Sequence, residues 1–418
     1  MPLCPGDRPP LGGDYPKLWC ANAISVAGDG VTLAAGPLLV ASVTRDPLLV
    51  AGAAFAQELP WLLFALISGV VVDRMDPRRL MVVVDLLRAA AIGGLAVSVA
   101  AGSAHLAAIY AALFVLGVGS TLTDTAAISL TPAIVAESGL TRANAGLQGV
   151  QLVGGTLVAP PLGAYLFVLA TGLPFAFDAA TFVLGAALLA SIRRPVIAQI
   201  EREYREGIRR EIATGIRWLM AHPGLRMLAA SICLMNITLG SALAILVLYA
   251  RQRLGLGPVG YGLLLSCSAV GGVIGTLVVD RLTGRLGPSL LLRVGLLVEC
   301  ATHVSLALTR HPWVAGATFV VFGVHAGVWG VVTVTLRQRA VPAELRGRVN
   351  SVYFVFSIGG GALGSLLGGV LARAFGITAP FWVAAVAIAL LAVVAWRLFT
   401  PARLAAEQEQ APSAVPAD

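Results

Sequence analysis

The chain has 418 residues, of which 58% are apolar and only 12% charged. A soluble domain carries about twice that share of charge, so a water-facing globule and a disordered chain are both excluded, and a protein with many membrane crossings remains. The net charge of +8 rests on 29 basic residues, all arginine except Lys17; they sit in short stretches between apolar runs and form no basic face, which excludes nucleic acid as a partner.

In chain order, a Pro/Gly-rich segment over 1–16, without the apolar stretch of a cleavable leader, precedes six apolar runs: 17–43, 48–72, 80–102, 105–128, 147–170 and 174–192. These predict an N-terminal six-helix bundle over 17–192. A polar stretch over 193–226 follows, in which Ile200, Tyr204, Ile208 and Ile212 recur at helical spacing among arginines. It predicts a cytoplasmic amphipathic linker, lying on the inner leaflet or packed on the bundle. Six further runs, 227–250, 259–279, 289–309, 313–336, 350–373 and 378–399, predict a C-terminal bundle over 227–399, and the polar tail over 400–418 is expected to be disordered. The runs are continuous, without the alternation of a membrane barrel. Helices are therefore the way their backbone groups are satisfied in lipid. The fold class is all-α, twelve transmembrane helices in two six-helix repeats.

With both termini cytoplasmic, 23 of the basic residues fall in inner segments and five in outer ones. That asymmetry orients the chain and places it in the cell membrane. Five cysteines have no paired spacing, so neither disulfides nor a metal site is expected.

The two halves repeat. Asp73-Arg74 with Arg78 follows span two, and Asp280-Arg281 with Arg285 follows span eight, 207 residues on. Arg142-Ala143-Asn144 and Arg348-Val349-Asn350 are 206 apart, as are Gly155 and Gly361. Parallel repeats place a substrate path at their junction near the bilayer midplane.

Ionisable groups at membrane depth are costly, by roughly 3 kcal/mol or more, and are functional candidates by default. Asp29 lies mid-span in span one, with Asn236 as its counterpart in span seven. It carries a proton during transport or bonds a neighbouring helix. Glu58 precedes Pro60 in span two and is placed to line a cavity. Asp85 and Arg88, three apart on one helical face, pair with each other or with Asp73, and Asp124 is a further gate partner. Glu299 and His303 are four apart in span nine, and His325 lies mid-span in span ten. A carboxylate beside an imidazole exchanges protons near neutral pH; a packed histidine is the alternative. Trp19, Phe55, Trp61, Asn236, Tyr353 and Phe356 are candidate cavity liners by depth. No nucleophile–base arrangement and no phosphate-binding loop occurs, so catalysis, an ATP-driven cycle and a cofactor are not expected.

Gly69, Asp73, Arg74 and Arg78-Arg79 resemble the loop signature of the major facilitator superfamily. Gly146, Gly155, Pro160 and Gly163 resemble its exporter signature, with two glycines replaced by alanine. Leu18-Trp19, Gly28-Asp29-Gly30, Asp85-Leu86-Leu87-Arg88, Phe177-Asp178-Ala179-Ala180 and Arg346-Gly347-Arg348 resemble the branch containing the enterobactin exporter and macrolide-efflux-like permeases. One feature departs from the pattern. Many drug/proton antiporters carry an arginine in span four before a G-x-G, whereas Gly117-Val118-Gly119 here follows only apolar residues. The resemblance implies a monomeric secondary transporter, embedded in the bilayer, that exports a small amphipathic cargo in exchange for protons. An importer on the same fold and a non-transporting receptor are the rival readings.

Overall fold

The computed structural model describes residues 11–193, 216–342 and 345–403. Most of the expected linker helix (194–215), most of the tail (404–418) and the side chain of Asp73 lie outside the described residues.

In the first half the helices are α1 (Tyr15–Val43), α2 (Pro47–Arg74), α3 (Pro77–Ala100), α4 (Leu106–Ile134), α5 (Leu140–Val150), α6 (Ala159–Leu169) and α7 (Leu173–Ala190). In the second they are α8 (Pro223–Ala244), α9 (Leu246–Gln252), α10 (Pro258–Leu308), α11 (Pro312–Ala340), α12 (Arg346–Phe375) and α13 (Ala379–Leu398). Among the described residues eleven helical stretches are long and apolar enough to cross a bilayer. One of them, α10, is two helices meeting at Gly287, whose φ of 74° is left-handed. Counting it as two gives twelve such stretches among the described residues.

Proline opens many of these helices, where its missing N–H is no loss. Asp76 caps α3, accepting from the N–H groups of Arg78 (3.0 Å) and Arg79 (3.3 Å). The expected break over 280–288 is narrower in the structure. The helix runs on through Asp280–Leu286 and stops only where Gly287 supplies positive φ ahead of Pro288, which disfavours a helical residue before it. Span five is α5 and α6 joined by a π-helical stretch, Gln151–Val158. Pro160 and Pro161 cannot donate to the preceding turn, and the widened register absorbs that loss. In α4 the hydroxyls of Ser120, Thr121, Thr123, Thr125 and Thr131 bond back to carbonyls one turn earlier at 2.7–3.1 Å, the local way to satisfy a hydroxyl where water is absent.

Glycine sets the helix spacing at two seams. A Cβ on Gly30 of α1 would run into the Gly155 carbonyl, and one on Gly163 into the backbone of Val31. In the second half a Cβ on Gly240 of α8 would run into the Gly361 carbonyl, and one on Gly364 into the backbone of Ile237. Small residues replace apolar driving force as the source of helix association in lipid, through close backbone packing.

Contacts divide the described residues into two compact units. The first comprises those within Met1–Thr44, Ala56–Ile200 and Gly257–Ser266; the second, those within Arg45–Phe55, Glu201–Leu256 and Cys267–Asp418. Each unit therefore takes a short segment from the other half of the sequence. In the first unit Gly262 lies against Pro160 and Pro161, and Ser266 donates to the Leu157 carbonyl at 2.6 Å. In the second, Gly369 lies against Leu48 and Ala51, and Arg373 is 3.5 Å from Asp46.

Candidate functional site

The first unit is organised around Arg88 of α3, only 2% exposed. Its guanidinium donates to Asp29 of α1 in a close ion pair and to the Ser120 hydroxyl of α4 at 3.0 Å. It lies 3.6 Å from Asp85 on its own helix and stacks 3.9 Å from the Phe182 ring of α7. The stem rests on Gly119, where a Cβ would collide with it. The G-x-G of span four, which has no arginine of its own, thus receives one from span three. Asp85 is buried, whereas the Asp29 side chain is 38% exposed. At the midpoint of α1 a carboxylate that open is stable only beside water, because facing lipid would carry the full desolvation penalty.

A second carboxylate, Asp178 of α7, is fully buried. It accepts from the Thr32 hydroxyl at 2.5 Å and the Thr181 hydroxyl at 3.3 Å. Gly28 permits this, since a Cβ there would overlap Thr181 and Asp178. Asp124 faces a separate cavity of about 680 Å³, whose polar lining includes Asn22, Thr131, Asn144, Gln148 and Gln151.

The second unit holds a cavity of about 520 Å³ among α8, α10, α11 and α12, lined by Asn236, Glu299, Phe322, His325, Trp329, Arg337, Tyr353 and Phe354 among others. At one wall Glu299 is 1% exposed; its Oε2 is 3.2 Å from His325 Nε2 and its Oε1 3.6 Å from His303 Nε2. Arg337 sits further along α11, its guanidinium 4.2 Å from the Tyr353 ring. Among the described residues no three His, Cys, Asp or Glu side chains are grouped as metal ligands.

The structure brings Asp29, Asp85 and Arg88 together, and Glu299 with His325. Asn236 and Tyr353 line the cavity; Phe356 is exposed and is not among its lining residues. Trp19 lines a different cavity with Tyr15 and Arg142, and its indole donates to the Gly146 carbonyl at 3.3 Å. Glu58, Phe55 and Trp61 are partly buried on α2. Arg78 donates to the Ile192 carbonyl, and Arg74, Asp280, Arg281 and Arg285 are exposed. A Cβ on Gly69 would meet nothing within 4 Å, so no described neighbour requires glycine there. Of the exporter-signature residues, Gly155 and Gly163 form the α1 seam and Pro160 follows the π-helical turn. Gly146 leaves room for the Tyr15 hydroxyl. Ser120 and Thr32 had no sequence signal; each is an ordinary residue of an apolar helix until a partner from another helix is placed beside it.

Sequence comparison agrees with this architecture. The model of the transmembrane secretion effector family matches residues 10–417. The enterobactin exporter EntS of Salmonella typhimurium is 26% identical over 85% of both chains. The multidrug efflux pump Tap of Mycobacterium tuberculosis is 29% identical over 90% of this chain and 91% of its own. Among solved structures, the nucleoside transporter NupG superposes with a TM-score of 0.75 at 11% identity, covering 93% of this chain and 99% of its own. A bacterial homologue of the iron transporter ferroportin, in its inward-facing state, gives 0.74 at 20% identity over 93% and 98%. At these identities the structural likeness concerns the fold.

Proposed function

Because the chain belongs to the transmembrane secretion effector family, a branch of the major facilitator superfamily, we propose that it exports a small amphipathic molecule across the cell membrane in exchange for protons. It is a multi-pass membrane transporter and not an enzyme; cargo, direction and coupling ion are the steps this proposal adds. The export direction is supported by two efflux relatives. The arginine asymmetry supports cytoplasmic termini.

The observation that carries the reading is the Asp29–Arg88 pair at mid-membrane, one partner buried and the other open. Arg88 stays charged at any physiological pH. It faces two carboxylates, Asp29 and Asp85, so the trio carries one negative charge in excess when both are ionised. A proton on Asp29 cancels that excess. Taking up the proton from outside and losing it inside then favours different conformations of the carrier, the condition for coupling. Arg88, reaching Gly119 and Ser120, supplies the span-four cation that the sequence lacks. In alternating access, the cargo site opens to one face of the membrane and then to the other. Mostly apolar walls with a few polar groups suit an amphipathic cargo.

The test is uptake of fluorescent amphipathic compounds into inside-out vesicles carrying an imposed pH gradient. Uptake that follows the gradient and collapses with a proton ionophore is expected, and Asp29→Asn should abolish the gradient dependence. Uptake indifferent to the gradient would remove proton exchange from the reading.

A further inference from the structure

The second unit carries a buried charge cluster that the Asp29 cycle does not use. Glu299 has almost no solvent exposure, and His303 and His325 are 2% and 7% exposed. Glu299 Oε2 and His325 Nε2 face each other at 3.2 Å without completing an aligned hydrogen bond, and neither ring nitrogen of His303 has a hydrogen-bond partner. The pocket for the imidazole is built into the helix opposite. A Cβ on Gly295 would sit 2.8 Å from His325 Cε1 and 2.9 Å from Nδ1. Both Glu299 and His325 line the cavity of about 520 Å³, as does Trp329, whose buried indole N–H also has no partner.

We propose that this cluster is a binding site for a positively charged amine or onium group, in which the cation and a proton compete for the charge of Glu299. The charge balance leads there. With both imidazoles neutral the cluster carries one negative charge, and a buried unpaired carboxylate is strongly unfavourable. One proton on an imidazole restores neutrality. One cationic group against Glu299 restores it equally well, so each excludes the other. The walls suit such a group, because the aromatic side chains of Phe322, Trp329 and Phe354 line the cavity and aromatic rings attract cations.

The groups facing Glu299 leave it to these two competitors. From α11 come His325 and, 12 residues along and so about 18 Å away along the helix axis, Arg337, whose guanidinium is occupied by the Tyr353 ring. From α8 comes Asn236, which is uncharged. From α12 comes Tyr353, whose hydroxyl donates to the Leu225 carbonyl. On α13 the neighbour is Phe381, 6.5 Å from the His303 ring, and Arg397 is the helix's one charged residue. The Tyr249 hydroxyl of α9 is engaged with the Leu306 carbonyl at 2.6 Å. On α10 itself Arg293 lies against Trp396.

The inference rests on the transporter reading but is tested without transport. Tetraphenylphosphonium binding to the purified full-length protein in detergent is measured from pH 5.5 to 8.5, together with proton release in weak buffer. Binding should tighten as pH rises, by about tenfold per pH unit where one proton is displaced, with close to one proton released per cation. Glu299→Gln should lose both the pH dependence and the proton release, and His325→Gln should shift and weaken them. Wild-type binding that is absent or independent of pH would overturn the proposal. So would full proton release in a folded Glu299→Gln protein. Should Glu299→Gln fail to fold, His325→Gln and the wild-type proton count decide. Vesicles that fail to move any cargo while this pattern holds would count against export and not against the site.

Discussion

Replacing Arg88 with methionine should be among the most damaging single substitutions in the first unit. The side chain is 2% exposed and is held by Asp29, Ser120 and the Phe182 ring, with Asp85 at 3.6 Å. Methionine fills most of the space but removes the one cation. Breaking a buried pair by deleting one partner costs about 3–5 kcal/mol, because the carboxylates left behind have no compensation. Asp29 discounts its share, since at 38% exposure it can rehydrate; Asp85, buried beside it, cannot. Arg88→Met alone should therefore lose about 3–5 kcal/mol, Asp29→Asn alone should lose less, and the double variant should lose clearly less than their sum. Unfolding by sodium dodecyl sulfate in mixed micelles, followed by tryptophan fluorescence, provides the four free energies of the cycle. Strict additivity, or an Arg88→Met protein as stable as the parent, would refute a charge cluster centred on this arginine.

Gly30→Val and Gly240→Val should each destabilise by roughly 1–3 kcal/mol, the range for overpacking, because the added atoms meet backbone carbonyls of Gly155 and Gly361 that have no rotamer to change; the same unfolding assay checks this, and wild-type stability in either variant would remove that seam. At the entrance to α1, Asp14 accepts from Lys17 at 2.7 Å and from the Arg193 N–H at 3.3 Å. The Lys17 ammonium holds the Asp14 carboxyl below its usual range. A depressed carboxylate stabilises the fold above its unfolded pKa and loses that contribution as pH falls through the folded value, so the cost of Asp14→Asn should be full above about pH 4 and fade below it. As a partly exposed pair at the helix entrance it should contribute at most about 1 kcal/mol. A loss several times larger in a stability–pH profile would show that the Asp14 contacts matter far beyond their exposure.

Much of the fold is legible in the sequence because lipid imposes a single rule: about 20 apolar residues per crossing with every backbone group bonded internally. The twelve runs correspond to the helices for that reason, and the 206-residue offset between Gly155 and Gly361 anticipates two glycine seams. Departures come where local and distant terms compete. The D-R-x-x-x-R segment after span eight reads as a loop because it is charged, yet it continues the helix until Gly287 and Pro288 stop it. The π-helical turn in span five depends on two prolines together with a helix pressed against Gly155, and composition shows only the first. Sequence spacing sets Arg88 beside Asp85, three residues away. Its partner Asp29 is 59 residues distant, and no periodicity links them. Likewise Glu299 and His303 share a helix face, whereas His325 reaches them from α11 only because Gly295 leaves room.

In the proposed cycle the interior of this carrier is reached from both sides of the membrane in turn. Asn236 lies near the middle of span seven and lines the cavity of the second unit. In a protein whose native cysteines are replaced, Asn236→Cys should be labelled by a membrane-impermeant thiol reagent from either face, with the balance between faces shifting when the pH gradient is reversed. Labelling confined to one face under every gradient, or no labelling from either, would contradict the account.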